Sequence, residues 1–148
     1  MSASAQAIYD SVSLGARIAY SDGKPRPPAR FKRKVREWEN SNGEGVLTQR
    51  RPGYRPGDPA MFTLRLTGFG SRESMILIAN MVLRVTDART FTVVQDPEPG
   101  SILCITRVGG VDELKHVTSS QAEAAQFMEG HRSSDPRLET VSAQLAAA

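Results

Sequence analysis

Apolar residues recur along this chain with two different periods. Phe31, Val35 and Trp38 are spaced by four and then three residues, which puts them on one stripe of a helix. Pro25, Pro27 and Pro28 precede the stripe, where no intrahelical N–H is needed, and Asn42-Gly43 follows it with a left-handed cap signal. The spacing predicts a helix over Pro28–Ser41 with its aromatic side packed on a sheet. Trp38 is the expected anchor, a buried ring whose truncation costs about 3–5 kcal/mol.

Elsewhere the period is two. Ala16–Ser21 alternates loosely into the turn signal Asp22-Gly23, and Gly45–Gln49 reads as a strand around Val46 and Leu47. In Met61–Thr67, Phe62, Leu64 and Leu66 share one face. Residues 74–86 fit both periods. As a helix, Glu73, Asn80, Arg84 and Asp87 form a polar stripe; as a strand, Met75, Leu77, Ala79, Met81, Leu83 and Val85 alternate inward. The strand reading is favoured because Thr90–Gln95, Ser101–Val108 and Asp112–Val117 continue as a meander with hairpin-length connections.

Two further helical signals flank this meander. At the N-terminus residues 1–14 are weakly helical, with Ile8, Tyr9 and Val12 available for docking. Ser120-Gln121-Ala122-Glu123 is a capping box that opens a short helix with Ala124, Phe127 and Met128 inward, stopped by Gly130. Asp135-Pro136 is positioned to cap a last helix carrying Leu138, Val141 and Leu145. The expected architecture is one α+β domain over residues 1–148: an antiparallel meander of about five or six strands with two or three helices on one face. Residues 1–14 and 132–148 are expected to be loose termini.

Composition narrows the class. At 148 residues with 39% hydrophobic and 24% charged positions, the chain is long enough for a real core. Cys104 is the lone cysteine, which excludes a disulfide within the chain and a multi-cysteine zinc site. No apolar run approaches the ~18 residues of a spanning helix, and the first residues lack a signal-peptide pattern. A cytoplasmic protein without a membrane partner is the expectation.

Charge is unevenly distributed beneath the formal net of +3. Residues 1–60 carry 11 Lys/Arg against 6 Asp/Glu, whereas residues 61–148 carry 8 against 10. Between Lys24 and Arg36 lie 7 basic residues and no acid. On the predicted helix Arg30, Lys32, Arg33, Lys34 and Arg36 fan over the outer face. Arg30, Lys32 and Arg33 crowd its N-terminal end, where the backbone is already partly positive and each cation costs up to ~1 kcal/mol. Cations beside exposed N–H groups make an anion-binding surface, and phosphate is the commonest anion. Arg50, Arg51, Tyr54 and Arg55, in a loop with two Arg-Pro-Gly turns, extend the candidate surface, with Tyr54 offering a stacking face. The plain alternative is a solvated face.

Catalytic readings fare worse. Cys104 lies in an apolar strand centre, where a thiol behaves as a small hydrophobe. His131, Ser133 and Asp135 supply the letters of a nucleophilic triad, but within one turn and without the distant segments that hold triad geometry. The imidazole there suits a helix C-terminus. His116 closes a strand, and the two histidines and the cysteine have no metal-ligand spacing. Glu37 and Glu39 point in different directions, and Glu37, four after Arg33, forms a surface pair. Gly43-Glu44-Gly45 follows a helix instead of opening one, so it cradles no phosphate. The reading is non-enzymatic, with no cofactor.

The segment Asp22-Gly23-Lys24-Pro25-Arg26-Pro27-Pro28-Ala29-Arg30-Phe31, continuing to Trp38 and Asn42-Gly43-Glu44-Gly45, resembles small uncharacterised proteins carried on proteobacterial plasmids and integrative elements. The likeness covers about the first third of the chain and implies no activity or site residues. What it implies is an accessory protein of a mobile element. Two functional readings follow: nucleic-acid binding through the basic helix, or a protein-interaction or structural module, including a homodimer, that uses a sheet edge or the C-terminal helix.

Overall fold

The computed structural model describes residues 2–69 and 76–142. Its elements run α1 (Ala5–Ser11), β1 (Arg17–Ser21), α2 (Lys32–Ser41), β2 (Gly43–Arg51), β3 (Met61–Phe69), β4 (Ile76–Arg84), β5 (Thr90–Gln95), β6 (Ile102–Val108), β7 (Val111–Thr118), α3 (Gln121–Gly130) and β8 (Arg137–Thr140), with a 3-10 turn at Arg132–Ser134. The α+β class is the expected one. The single antiparallel sheet has eight strands, larger than the five or six the pattern predicts.

β2 is its trunk. One edge pairs with β3, which carries β4. The other edge holds β1 from Arg17↔Val46 to Tyr20↔Gly43, and beyond it meets β7 at Gln49↔Glu113. The sheet therefore forks: β1 continues to β5, and β7 continues to β6 and β8. A register shift between Leu47 and Gln49 marks the fork, the irregularity that lets one strand bend between two partners. Gly45 is needed just before it, since a Cβ there would lie 2.9 Å from the Arg65 carbonyl oxygen and 2.7 Å from a Leu66 methyl.

The larger core sits within the first branch. Ala5 and Ile8 of α1 are fully buried among Ile18, Leu47, Phe62, Leu64, Leu83 and Phe91, and Phe62 meets Phe91 edge-to-face at 5.6 Å. Far from being a loose terminus, α1 contributes Ala5 and Ile8 to this core. Ser4 caps it by accepting a hydrogen bond from Ala7 N–H. β6 is buried from Ile102 to Thr106. Its Leu103 and Ile105 face Leu114, Val141 and Leu14, while Ile102 and Cys104 face Ala124 and Phe127 of α3. Leu14 packs against both the α1 core and the Leu103 side, so α1 and α3 lie on opposite faces, not on one.

Three local expectations are corrected. The basic helix begins at Lys32, not Pro28; residues 28–31 form a turn closed by Phe31 N–H on the Pro28 carbonyl. Asn42 is extended instead of opening a left-handed cap. The expected last helix is strand β8, which covers the free edge of β6 from Ile102↔Thr140 to Ile105↔Arg137. An open strand edge offers backbone hydrogen bonds that outweigh the helix propensity of a short segment. Leu145 lies outside the described residues. The ambiguous stretch is strand over Ile76–Arg84, in register with β3; Glu73 and Met75 lie outside the described residues.

Candidate functional site

The basic helix stands off the sheet. None of its residues is buried, and Phe31 is 40% exposed. Trp38 is half-buried and belongs to none of the core clusters, so it does not anchor α2 to the sheet in the way its spacing predicts. Its ring closes a smaller structure. Trp38 Nε1 donates to the Lys24 carbonyl at 2.7 Å, the Arg26 guanidinium lies 5.6 Å from the ring centre, and Arg26 also reaches Glu39 at 3.5 Å. The proline-rich lead-in thus folds back along the helix it introduces.

Asn42 fixes this unit to β1. Its Nδ2 donates to the Trp38 carbonyl at 2.8 Å, satisfying a helix-end acceptor, and to Asp22 Oδ1 at 3.1 Å. Its Oδ1 accepts from Ser21 Oγ and Asp22 N–H at 2.7 and 3.2 Å. Asp22 also accepts from Lys24 N–H, and these hydrogen bonds hold its carboxyl below the usual aspartate range. Asn42 and Asp22 act here as positioning residues, which the cap and turn signals do not reveal. Asn four residues after Trp38, together with the Asp22-Gly23 turn that ends the neighbouring strand, is the signal that points to them.

The cations face solvent. Arg33 is 93% exposed and pairs with Glu37 at 3.6 Å, the expected surface pair. No ion pair engages Arg30, Lys32, Lys34 or Arg36 among the described residues. Arg30 and Lys34 instead lie over the Phe31 ring, at 4.8 and 5.2 Å from its centre. The first turn of α2 contains no acid, and its N-cap, Phe31, supplies no side-chain hydrogen bond. Backbone donors and the cations Arg30, Lys32 and Lys34 therefore share the exposed start of the helix, with Arg36 in its second turn.

The Arg-Pro-Gly loop is not part of that patch. α2 enters β2 at Gly43 and the loop leaves it after Arg51, so nine residues of strand, about 30 Å, separate them. The two arginines are also split. Successive strand residues point to opposite faces: Arg50 pairs across to the inward Phe62, whereas Arg51 pairs across to Met61. Arg51 stacks under Tyr54, with the guanidinium 4.3 Å from a ring that is 71% exposed. Arg55 is exposed, and its backbone N–H is held by Asp58 at 3.1 Å. Arg51, Tyr54 and Arg55 make a second, smaller cationic–aromatic spot; Arg50 turns into a cleft beside α1.

The residues weighed for catalysis take structural partners. Cys104 is fully buried, and that burial pushes its thiol pKa up, with Glu123 adding to the rise. His131 stacks on Phe127 at 4.0 Å, its Nδ1 lies 3.0 Å from the Phe127 carbonyl, and no hydrogen bond joins it to Ser133 or Asp135 among the described residues. His116 sits 3.4 Å from Glu123, which accepts at 2.6 Å from Thr118 Oγ1; these contacts hold the Glu123 carboxyl below its usual range, Thr118 contributing most. The capping box is consequently half made: Ser120 Oγ accepts from Glu123 N–H, but Ser120 N–H donates to Thr118 Oγ1 in place of Glu123. Among the described residues no group of three or more His, Cys, Asp or Glu is placed to hold a metal, and no helix is long and apolar enough to cross a membrane.

A family model described as Uncharacterised conserved protein UCP036055 matches residues 2–145. No curated protein and no solved structure matches the chain.

Proposed function

Taking as premise that the chain belongs to this uncharacterised conserved family, we propose that it is a small non-enzymatic accessory protein that binds nucleic acid through α2. One observation carries the reading: Arg30, in the turn before α2, and Lys32, Lys34 and Arg36 on it face solvent without a carboxylate partner among the described residues, and the helix buries none of its residues. Such charges are costly to crowd and have no role in packing, so a polyanion is the natural complement. Phe31, flanked by two cations, adds an exposed ring edge against which a sugar or base can pack. Contacts of this kind neutralise phosphates and carry no base specificity. The cytoplasm and a mobile element, the latter suggested by the resemblance of the first third, form the cellular setting of the proposal.

The test is a gel shift at low salt with a random-sequence duplex. Wild type shifts it, and a variant neutralised at Arg30, Lys32, Arg33, Lys34 and Arg36 does not. Equal shifts by the two proteins, or none by either, refute the reading.

A second reading rests on β4, a nine-residue strand at the end of the sheet with Val82 59% exposed. An open edge of this length is a template for pairing with a second copy. Light scattering distinguishes it: a dimer that survives high salt and is lost on Val82→Lys supports edge pairing.

A further inference from the structure

A cleft of about 610 Å³ opens between the end of α1, β2 and the β7–β8 branch, within the size range of small-molecule sites. Leu14, Leu103 and Val141 give it an apolar wall, and six charged side chains line it: Asp10, Arg50, Asp96, Asp112, Arg137 and Glu139. Three of these are committed to one another. Arg137 binds Asp112 at 2.8 Å and Glu139 at 2.9 Å, and Arg107, outside the cleft, adds a second cation to Asp112 at 3.5 Å, so the two carboxylates of that branch are matched by two arginines.

The other three are not. Arg50 makes no hydrogen bond or ion pair among the described residues, and its Nε is buried without a partner. A guanidinium drawn partly out of water with no acceptor is expensive, and pairing of Arg50 with Phe62 of β3, one residue after β2 meets β7 at Gln49, fixes its backbone and limits its retreat. Asp10 accepts only a neutral hydrogen bond, from Gln6 Nε2 at 3.0 Å, and Asp96 has no partner among the described residues. The uncommitted charges are therefore one cation and two anions lining the same cleft.

We infer that this cleft binds a small molecule carrying one carboxylate and two protonated amines, an amino acid of the basic class, with Arg50 taking the carboxylate and Asp10 and Asp96 the amines. A planar carboxylate suits the guanidinium fork, which is the reason arginine is preferred for that partner. Two ammonium groups match the remaining pair of aspartates in number and sign. The apolar wall accommodates a short methylene chain between them. This site is independent of α2, because Arg50 is on the far part of β2 and faces the side opposite Arg51.

The test is calorimetric titration of the full chain with three probes of equal chain length: lysine, norleucine and 1,5-diaminopentane. Lysine is expected to bind at least tenfold more tightly than norleucine, which lacks the side-chain amine, and than the diamine, which lacks the carboxylate. Arg50→Gln removes the preference for lysine over the diamine, and Asp96→Asn reduces the preference for lysine over norleucine, with both variants checked for an unchanged cooperative melt. No measurable lysine binding overturns the inference. So does equal binding of all three probes, or lysine binding by Arg50→Gln indistinguishable from wild type. Should Arg50→Gln fail to fold, the Asp96→Asn variant and the three-probe ranking decide the question alone.

Discussion

The two helices of the first 41 residues invert what their sequences suggest. α2 has the clearer apolar stripe yet buries none of its residues, while the weakly patterned α1 buries Ala5 and Ile8 in the larger core. Periodicity tells which side chains share a face; it does not tell whether that face can be brought out of water. Around Phe31, Val35 and Trp38 stand five outward cations, and docking the stripe deeply would desolvate several of them. α1, Ala-Gln-Ala-Ile-Tyr-Asp-Ser, carries no cation and has small residues that allow close backbone approach. Charge density, more than hydrophobic spacing, decided which helix became core.

Substitutions sharpen this contrast. Ile8→Ala, deep in the α1 core, is expected to cost about 2–5 kcal/mol in chemical denaturation, and Phe91→Ala, which also breaks the edge-to-face ring pair, about 3–5 kcal/mol. Trp38→Ala is expected to cost only about 1–2 kcal/mol, from part of a ring's burial and one hydrogen bond to Lys24. A loss at Trp38 as large as that at Ile8 would erase the distinction between the helices. Asn42→Ala, which frees the Trp38 carbonyl and Asp22, should cost about 1 kcal/mol and loosen α2 ahead of the sheet, visible as faster amide exchange confined to residues 32–41.

The smallest effect is at Glu123 of α3. Because the Thr118 hydroxyl and His116 hold the Glu123 carboxyl below its ordinary value, its stabilising contribution is present above the usual glutamate pKa and is lost as pH falls through the lowered one. Glu123→Gln should therefore lower the melting temperature slightly at neutral pH, with the gap to wild type closing in acid. A gap that widens in acid would reverse the sign of that coupling.

Most strands were legible from the sequence because one face of each is buried and the alternation is forced. Phe62, Leu64 and Leu66 fixed β3, and the Gly109-Gly110 turn, both residues at positive φ, closed the β6–β7 hairpin where expected. The fork at β2 was not legible, since pairing partners depend on contacts distant along the chain. Nor was β8: Leu138 and Val141 suit a helix equally well, and only the unfilled edge of β6 selects the strand. At the candidate site the outward cations of α2 were readable from the wheel, but the separation of Arg50 from Arg51 needed the strand itself, where adjacent residues face opposite ways.

Trp38 is the single tryptophan of the chain and lies on α2, so its fluorescence reports directly on that helix. Titrating wild type with duplex oligonucleotide at a series of salt concentrations should change its emission saturably. With about four uncommitted cations engaged, the logarithm of the binding constant should fall against the logarithm of salt with a slope of about −4. Emission that is unaltered by DNA, or binding that does not respond to salt, would contradict a phosphate-binding role for this helix.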